Sequence, residues 1–290
     1  MGMKVTAECL VCHFDRTMKK AMAQGDEEKA LAFAKDLMRM YQTAPEDVSS
    51  PWYNPQGSEL FRKHFGFGDE QYLAEKEMSN RFVMDRFDTI CRIAETAADP
   101  VLAGLQLAIL GNYMDFAALQ GQVSFEKLDG MLDTAQGLDL DRVCYRQFCA
   151  DLEKGTRFLY VTDNAGEIGF DRIMAETLVQ AYPHLQITFL VRGAVISNDA
   201  TREDAQAVGI DFPILDSGNA IGGTSIPRIR PEAKQAFDEA DVILAKGMGN
   251  TESMFGCGYN VYYAFLVKCA RFQQFFEKPL MTPMFIRDQK

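Results

Sequence analysis

The sequence predicts an α/β protein, namely a Rossmann-like three-layer α/β/α sandwich with a mainly parallel sheet, preceded by an α-helical domain. Two observations predict this fold. From about Thr6 to Leu152 the apolar residues recur at helical spacing. Beyond "EKGT" at 153–156, short β-rich runs alternate with helical stretches, which is typical of βαβ units. We therefore expect a helical N-terminal domain over 1–152 and an α/β/α domain over 153–290.

The helices of the N-terminal half are predicted from apolar periodicity. In "EEKALAFAKDLMRMY" the residues that form one stripe are Leu31, Ala34, Leu37, Met38 and Tyr41. Two later stretches, "EKEMSNRFVMDRFDTICRIAETA" and "PVLAGLQLAILGNYMDFAALQ", are also helical in pattern, and Pro100 opens the second at a first-turn position. The segment "TAPEDVSSPWYNPQGSE" contains three prolines and is predicted to be a loop.

In the C-terminal half, four runs have the character of buried strands: "RFLYVT", "QITFLV", "DFPIL" and "DVILAK". Helical stretches over 167–182, 201–208 and 231–239 lie between them. The segment "GYNVYYAFLVKCARFQQFF" is predicted to be an aromatic-rich helix, either in the core or at a subunit contact.

Composition excludes several classes of partner. The formal net charge of -11, without a basic stripe, argues against nucleic acid and against an anionic membrane surface. No apolar run is long enough to span a membrane, and the N-terminus lacks the apolar core of a signal peptide, so we expect a cytoplasmic protein. Seven cysteines, an odd number, indicate reduced thiols rather than a disulfide framework.

Polar side chains follow three of the predicted strands. In chain order they are Asp163 and Asn164, then Asn198 and Asp199, then Lys246, Asn250 and Glu252. Because ligands bind at the carboxyl ends of parallel strands, we expect these groups to meet at one rim of the sheet. Turn and helix-cap chemistry explains any one of these segments alone, but their coincidence favours a site. Carboxylate and amide oxygens suit Mg²⁺ or Mn²⁺ better than zinc.

Other sites are less well supported by the sequence. The "GMG" at 247–249 lacks the third glycine of a dinucleotide fingerprint, because Glu252 occupies that position. The three histidines are scattered and suggest no Ser-His-Asp arrangement. Cys9 and Cys12 form a C-x-x-C-H motif with His13, but haem attachment requires export, and local ligands for zinc number three at most. We expect both cysteines to be buried small side chains on the first helix and not catalytic; an accessory metal role stays open.

Five motifs together resemble one known family: "DNAGE", "VRGAVISNDAT", "KGMGNTE", the upstream "GNYMDF" and the N-terminal "CLVC". Taken in their order along the chain, the five motifs are similar to those of the damage-control phosphatases. These are the ARMT-like metal-dependent phosphatases first catalogued as domain of unknown function eighty-nine. The resemblance spans residues 9 to about 252, within the microbial branch that carries the cysteine pair. It implies a helical domain before a Rossmann-like domain, and hydrolysis of phosphometabolites such as sugar phosphates with Mn²⁺, Mg²⁺, Co²⁺ or Ni²⁺.

The resemblance also implies roles for individual residues. The metal would be held by Asp163, Asn164 and Asp199, and Lys246 would contact the substrate phosphate. We expect the Gly247 and Gly249 amides to help hold that phosphate. Glu167 is expected to support the metal ligands or to donate a proton to the leaving alcohol. The remaining candidates for the substrate site are Asn112, Asp115 and Asn250.

The mechanism expected from these residues is metal-assisted attack of water on a phosphate ester, in which the ion stabilises the charge of the transition state. An aspartyl phosphate formed on Asp163 is the alternative route. Two other classes of protein stay open: a cofactor-binding transferase of the methyltransferase class, and a metal-dependent sensor or scaffold that binds without turnover.

Overall fold

The fold is described from a computed structural model, which describes residues 2–114 and 124–287. Asp115, a candidate for the substrate site, lies outside the described residues. In the described part of the N-terminal half the chain is helical, and the α-helices are α1 (Ala7–Met22), α2 (Glu27–Thr43), α3 (Tyr53–Phe65), α4 (Leu73–Met84), α5 (Phe87–Glu95), α6 (Pro100–Gly111), α7 (Phe125–Leu132) and α8 (Arg142–Lys154).

Strands and helices alternate from residue 157 onward. The strands are β1 (Arg157–Val161), β2 (Gln186–Val191), β3 (Ile214–Asp216), β4 (Val242–Lys246), β5 (Val261–Leu266) and β6 (Pro283–Arg287). The helices between them are α9 (Glu167–Ala181), α10 (Arg202–Ala207), α11 (Pro231–Glu239), α12 (Gly247–Met254) and α13 (Ala270–Phe276). This alternation confirms the predicted α/β class.

The strands form one six-stranded sheet in the order β3-β2-β1-β4-β5-β6. All neighbours pair in parallel except β6, which is antiparallel to β5. The chain leaves β1 toward β2 on one side and later returns to β4 on the other. The order therefore reverses between β1 and β4, which is the position where open parallel sheets bind ligands.

Alternate side chains of the strands pack into cores on opposite faces of the sheet. On β1, Tyr160 belongs to one core and Leu159 to the other. The first core also takes in helices of the N-terminal half: Phe148 of α8 stacks edge-on against Phe158 and Tyr262 of the sheet. Because this core crosses residue 152, side chains from both predicted domains are buried together. The division at 152/153 stays a prediction.

The predicted helix over the aromatic-rich segment is wrong in its first half. Val261–Leu266 is strand β5, in which all six side chains are buried, and the helix α13 begins only at Ala270. An uninterrupted apolar run does not distinguish a strand buried on both faces from a buried helix, and the aromatic and β-branched residues favour the strand. The edge strand β6 was not predicted. The predicted strand "DFPIL" over 211–215 shows the opposite error, since β3 covers only Ile214–Asp216.

Two predictions for the helical half also need correction. The proline-containing segment is a loop only at its start, because α3 begins at Tyr53 and contains the third proline in its first turn. On α2 the buried residues are Ala30, Phe33, Ala34 and Leu37. Leu31 and Met38 of the predicted stripe are exposed, so the buried face is rotated toward Phe33. Among the described residues, no helix is both long and apolar enough to cross a membrane.

Candidate active site

Two chain segments that follow β1 and β2 are held side by side by backbone hydrogen bonds. Asn164 and Asp199 form an isolated antiparallel bridge. The amide of Ala165 donates to Asn198 O at 2.8 Å, and that of Ala200 donates to Asp163 O at 2.7 Å. These bonds fix the relative positions of the two motifs, so the predicted ligands Asp163, Asn164 and Asp199 are brought together.

The three side chains line a small cleft of about 120 Å³ at the carboxyl edge of the sheet. The helical half supplies part of its wall, including Arg16 of α1 and Asn54 of α3. The remaining lining residues are Ser50, Pro51, Ser197, Asn198, Gly222, Met248, Gly249 and Glu252. The cleft therefore depends on contributions from both halves of the chain.

Asp163 is oriented by two amides and a glycine. Asn112 and Asn164 donate Nδ2–H bonds to its Oδ2 at 3.1 and 2.8 Å. Gly247 lies against the same carboxylate with φ +77°, and a Cβ there would overlap the oxygens of Asp163. Glycine is required at this position for two reasons: the left-handed backbone and the space that the carboxylate occupies.

Asp199 is paired with a buried arginine that follows β2. Arg192 Nε donates to Asp199 Oδ2 at 2.6 Å, and Arg192 Nη2 lies 3.8 Å from Asp163 Oδ1. The guanidinium is fully buried and is held from behind by Thr224 Oγ1 at 3.3 Å and Asn250 Oδ1 at 3.1 Å. Arg192 thus places one positive charge between two carboxylates that would otherwise repel each other.

The expected reach of Lys246 over the rim is wrong, whereas its contact with a substrate phosphate stays a prediction. The side chain is fully buried, and Nζ donates to Glu167 Oε1 at 2.6 Å, to Asp171 Oδ1 at 2.9 Å and to Ala108 O at 2.7 Å. Three partners satisfy the three N–H donors of an ammonium group. Lys246 therefore acts beneath the cleft, as the counter-charge of two buried carboxylates.

The pKa values of this buried group follow from burial and mutual charge. Burial lowers the pKa of Lys246, but Asp171 and Glu167 outweigh burial and raise it above its ordinary value. Burial raises the pKa of Asp171, which the charge of Lys246 opposes. Asp171 Oδ1 also accepts from Tyr160 at 2.8 Å, whereas Oδ2 is buried and has no hydrogen-bond partner within residues 2–114 and 124–287. Lys246 is therefore charged at any ordinary pH.

Glu167 lies on the first turn of α9 and is also fully buried. It accepts from Asn112 at 2.9 Å, from Asn164 at 2.8 Å and from Lys246. Its two oxygens are thus engaged within the protein, and it does not line the cleft. The expected support of the metal ligands fits this position, but donation of a proton to a leaving alcohol does not.

The other residues expected at the substrate site also differ from the prediction. The expected glycine-rich loop is the first turn of α12. Gly249 lines the cleft, but it packs against the Gly222 and Gly223 backbone, and Gly247 packs against Asp163. Asn250 is buried, and its Nδ2 donates to Lys246 O and Thr162 O, so it supports Arg192 instead of a substrate. Asn112 is likewise buried and does not line the cleft itself, but its Nδ2 donates to Asp163 in the cleft wall.

Sequence reasoning missed Arg192, Arg16 and Asn54. Arg192 lies inside the quoted motif "VRGAVISNDAT", and its position directly after a strand was a usable signal. Arg16 and Asn54 carried none, because they belong to helices distant in sequence from the sheet. Cys9 is buried as expected, and its Sγ accepts from Arg271 at 3.1 Å, but Cys12 is exposed. Neither cysteine lines the cleft.

The residues at the cleft fit a hard divalent cation by their chemistry. Both N–H bonds of Asn164 go to Asp163 and Glu167, which leaves the amide oxygen as its group for a ligand. Asn198 also lines the cleft, and its buried Oδ1 has no hydrogen-bond partner among the described residues. Within residues 2–114 and 124–287, no three His, Cys, Asp or Glu side chains are grouped to hold a metal. The cleft instead offers two carboxylates and amide oxygen, groups of the kind that Mg²⁺ and Mn²⁺ accept.

The structure is a Rossmann-like α/β protein with an oxygen-lined cleft at the switch point of its sheet, which is where proteins of this class bind ligands. Residues 5–281 match the damage-control phosphatase ARMT1-like domain. The chain therefore belongs to the ARMT1-like damage-control phosphatase family. This membership supports hydrolase activity of the phosphatase type.

Relatives cover most of the chain. An uncharacterized protein of Methanocaldococcus jannaschii is 30% identical over 282 residues, which are 92% of this chain and 90% of that protein. A damage-control phosphatase of Pyrococcus horikoshii is 28% identical, with 87% and 86% covered, and one of Archaeoglobus fulgidus is 27% identical, with 87% and 88% covered. The crystal structure of a DUF89 family protein from Pyrococcus horikoshii superposes with a TM-score of 0.82 at 24% identity, over 99% of this chain and 100% of the other. That likeness confirms the fold.

Gly247→Ala should destabilise the protein more than Gly256→Ala. Gly256 has nearly the same φ, +76°, but nothing lies within 4 Å of an added Cβ. Both variants should lose about 1–2 kcal/mol from left-handed strain. Gly247→Ala should lose about 1–3 kcal/mol more, because Asp163 must move. Equal losses in urea unfolding of the two variants would show that Asp163 does not depend on this glycine.

Lys246→Met should destabilise the protein by about 3–5 kcal/mol, because Glu167 and Asp171 lose their buried counter-charge. The double variant Lys246→Met with Glu167→Gln should regain part of the loss. Lys154→Met, at the exposed end of α8, is the control and should change stability by less than about 0.5 kcal/mol. Chemical denaturation measures all three. A Lys246→Met protein of nearly wild-type stability with weakened phosphate inhibition would support the phosphate contact instead.

Proposed function

We propose that this protein is a divalent-metal-dependent phosphatase that hydrolyses small phosphorylated metabolites, such as sugar phosphates or damaged phosphometabolites. One observation carries the proposal: Asp163, Asn164 and Asp199 converge on one cleft at the switch point of the sheet, in a chain of the damage-control phosphatase family. Two relatives that align over most of this chain are named damage-control phosphatases.

Asp163, Asn164 and Asp199 would hold the ion, and Mn²⁺, Mg²⁺, Co²⁺ and Ni²⁺ are the candidates. A bound divalent ion supplies charge stabilisation to a phosphoryl transition state and lowers the pKa of water. The chain's own contribution is preorganisation. The Asn112 and Asn164 amides and Arg192 fix the two carboxylates, so little reorganisation is needed when the ligand binds.

The surroundings of the cleft support a small polar substrate. A second cavity of about 370 Å³ adjoins the cleft and shares Arg16, Asn54 and Ser197 with it. Its wall includes hydroxyl and carboxylate groups of Ser58, Tyr72 and Asp69. Such groups suit a leaving group rich in hydroxyls, because hydroxyl groups can both donate and accept hydrogen bonds and carboxylate oxygens accept them.

The purified protein should hydrolyse p-nitrophenyl phosphate and at least one sugar phosphate when a divalent metal is added. A chelator should stop this hydrolysis. Asp163→Ala or Asp199→Ala should reduce kcat/KM about a hundredfold or more, as expected for a preorganised electrostatic group. Asp133→Ala, exposed after α7, is the control and should leave kcat/KM unchanged.

The same assay separates the alternative functions. Activity that survives thorough chelation and metal removal would contradict the metal dependence. Metal and phosphate binding without turnover of any phosphoester would indicate a sensor or scaffold. Tight binding of a nucleoside-containing cofactor, together with no requirement for a metal, would indicate a transferase.

A further inference from the structure

Arg16 of α1 lies at the junction of the small cleft and the larger cavity, because it lines both. Within the described part of the chain, its half-buried side chain makes one hydrogen bond, from Nη2 to Asn54 Oδ1 at 3.1 Å. An arginine carries five N–H donors, so this bond fixes the position of the guanidinium and leaves most of its donors for a ligand.

The ion pairs of the neighbouring cations distinguish Arg16 from them. Lys19 pairs with Asp15 at 2.7 Å, and Lys20 pairs with Asp69 at 3.3 Å. Among the residues that the structure describes, Arg16 has no carboxylate oxygen within 4.0 Å. Two other cations near Asp163 and Asp199 are also paired. Arg192 is paired with Asp199, and Lys246 is paired with Glu167 beneath the cleft.

The acidic groups of the cleft make a cationic contact necessary for an anionic ligand. Asp163, Asp199 and Glu252 line the same small space, in a protein with a net charge of -11. Arg192 is already paired with Asp199, and Arg271 with Glu252, so a phosphate dianion that enters the cleft needs positive charge beyond these pairs. A guanidinium with unused donors supplies both the missing charge and two parallel N–H bonds of the spacing that phosphate oxygens accept.

We propose that Arg16, and not Lys246, recognises the phosphate group of the substrate, and that it does so from the helical half of the chain. The phosphate would lie between Arg16 and the residues Asp163, Asn164 and Asp199, and the leaving group would extend into the larger cavity. The inference rests on the proposed phosphatase function for its substrate. The anion site at Arg16 does not itself require phosphatase activity, because the protein could bind phosphate there without turnover.

The test compares Arg16→Gln, Arg16→Lys and a control, Arg92→Gln, in the full-length protein with Mn²⁺. Arg92 is an exposed arginine of α5 that lines neither cavity, so its removal changes the net charge equally. KM for a phosphoester, inhibition by inorganic phosphate, direct binding of phosphate by calorimetry and Mn²⁺ affinity are measured for each variant.

Arg16→Gln should raise KM and the inhibition constant of phosphate about tenfold or more, as for a lost charge-assisted hydrogen bond. Arg16→Lys should be intermediate, because it keeps the charge but not the planar fork. Arg92→Gln should stay within about twofold of wild type. Mn²⁺ affinity should not weaken in Arg16→Gln, because removal of a positive charge cannot disfavour a cation.

The outcomes separate this inference from the proposed function. Wild-type turnover with unchanged phosphate inhibition in Arg16→Gln overturns the role of Arg16 and leaves the phosphatase function intact. Phosphate binding that depends on Arg16, without turnover by the wild type, supports the anion site and overturns the phosphatase function. Loss of Mn²⁺ binding together with phosphate binding in Arg16→Gln would mean that Arg16 supports the fold of the cleft, which also overturns the proposal.

Discussion

The candidate site depends on one fully buried ion pair system, in which Lys246 contacts Glu167 and Asp171. Lys246 ends β4 and the two carboxylates lie on α9, so these contacts join β4 to the helix that follows β1, and the switch point lies between those two strands. Buried charges are stable only when they are paired and hydrogen-bonded. Glu167, held in place by Lys246, accepts hydrogen bonds from the side-chain amides of Asn112 and Asn164. The same two amides also donate to Asp163. The orientation of Asp163 is thus a consequence of charge compensation one layer below the cleft.

The positive charges at the site divide into structural and available ones. Lys246 and Arg192 are fully buried and are engaged by carboxylates of the protein, so they set the positions of the acidic groups. Arg16 stands in the cleft wall and is tied to Asn54 alone among the described residues. In the proposed function, this division lets an acidic protein combine a cation site with an anionic substrate, and it makes the helical half part of the site. The sheet would hold the ion, and the helices would supply the contact to phosphate.

Much of the fold followed from the sequence, because periodicity reports burial directly. The strands β1, β2 and β4 and the start of α9 were predicted close to their bounds, as were the motifs that meet at the rim. The predictions failed where one pattern serves two structures, as in the apolar run of β5, which also suits a buried helix. The role of Lys246 failed for another reason: a lysine at the end of a strand can extend outward or fold beneath the rim, and its partner Asp171 is chosen by tertiary packing. The position of Arg16 at the cleft could not be predicted, because its lack of a carboxylate partner among the described residues is visible only in the folded structure.

The most direct test of this account is the anomalous difference map of a crystal soaked with Mn²⁺. One strong peak should lie within coordinating distance, about 2.0–2.3 Å, of oxygens from Asp163, Asn164 and Asp199. Lys246 should remain bonded to Glu167 and Asp171 beneath the ion. A peak elsewhere, or a Lys246 side chain turned into the cleft, would contradict it.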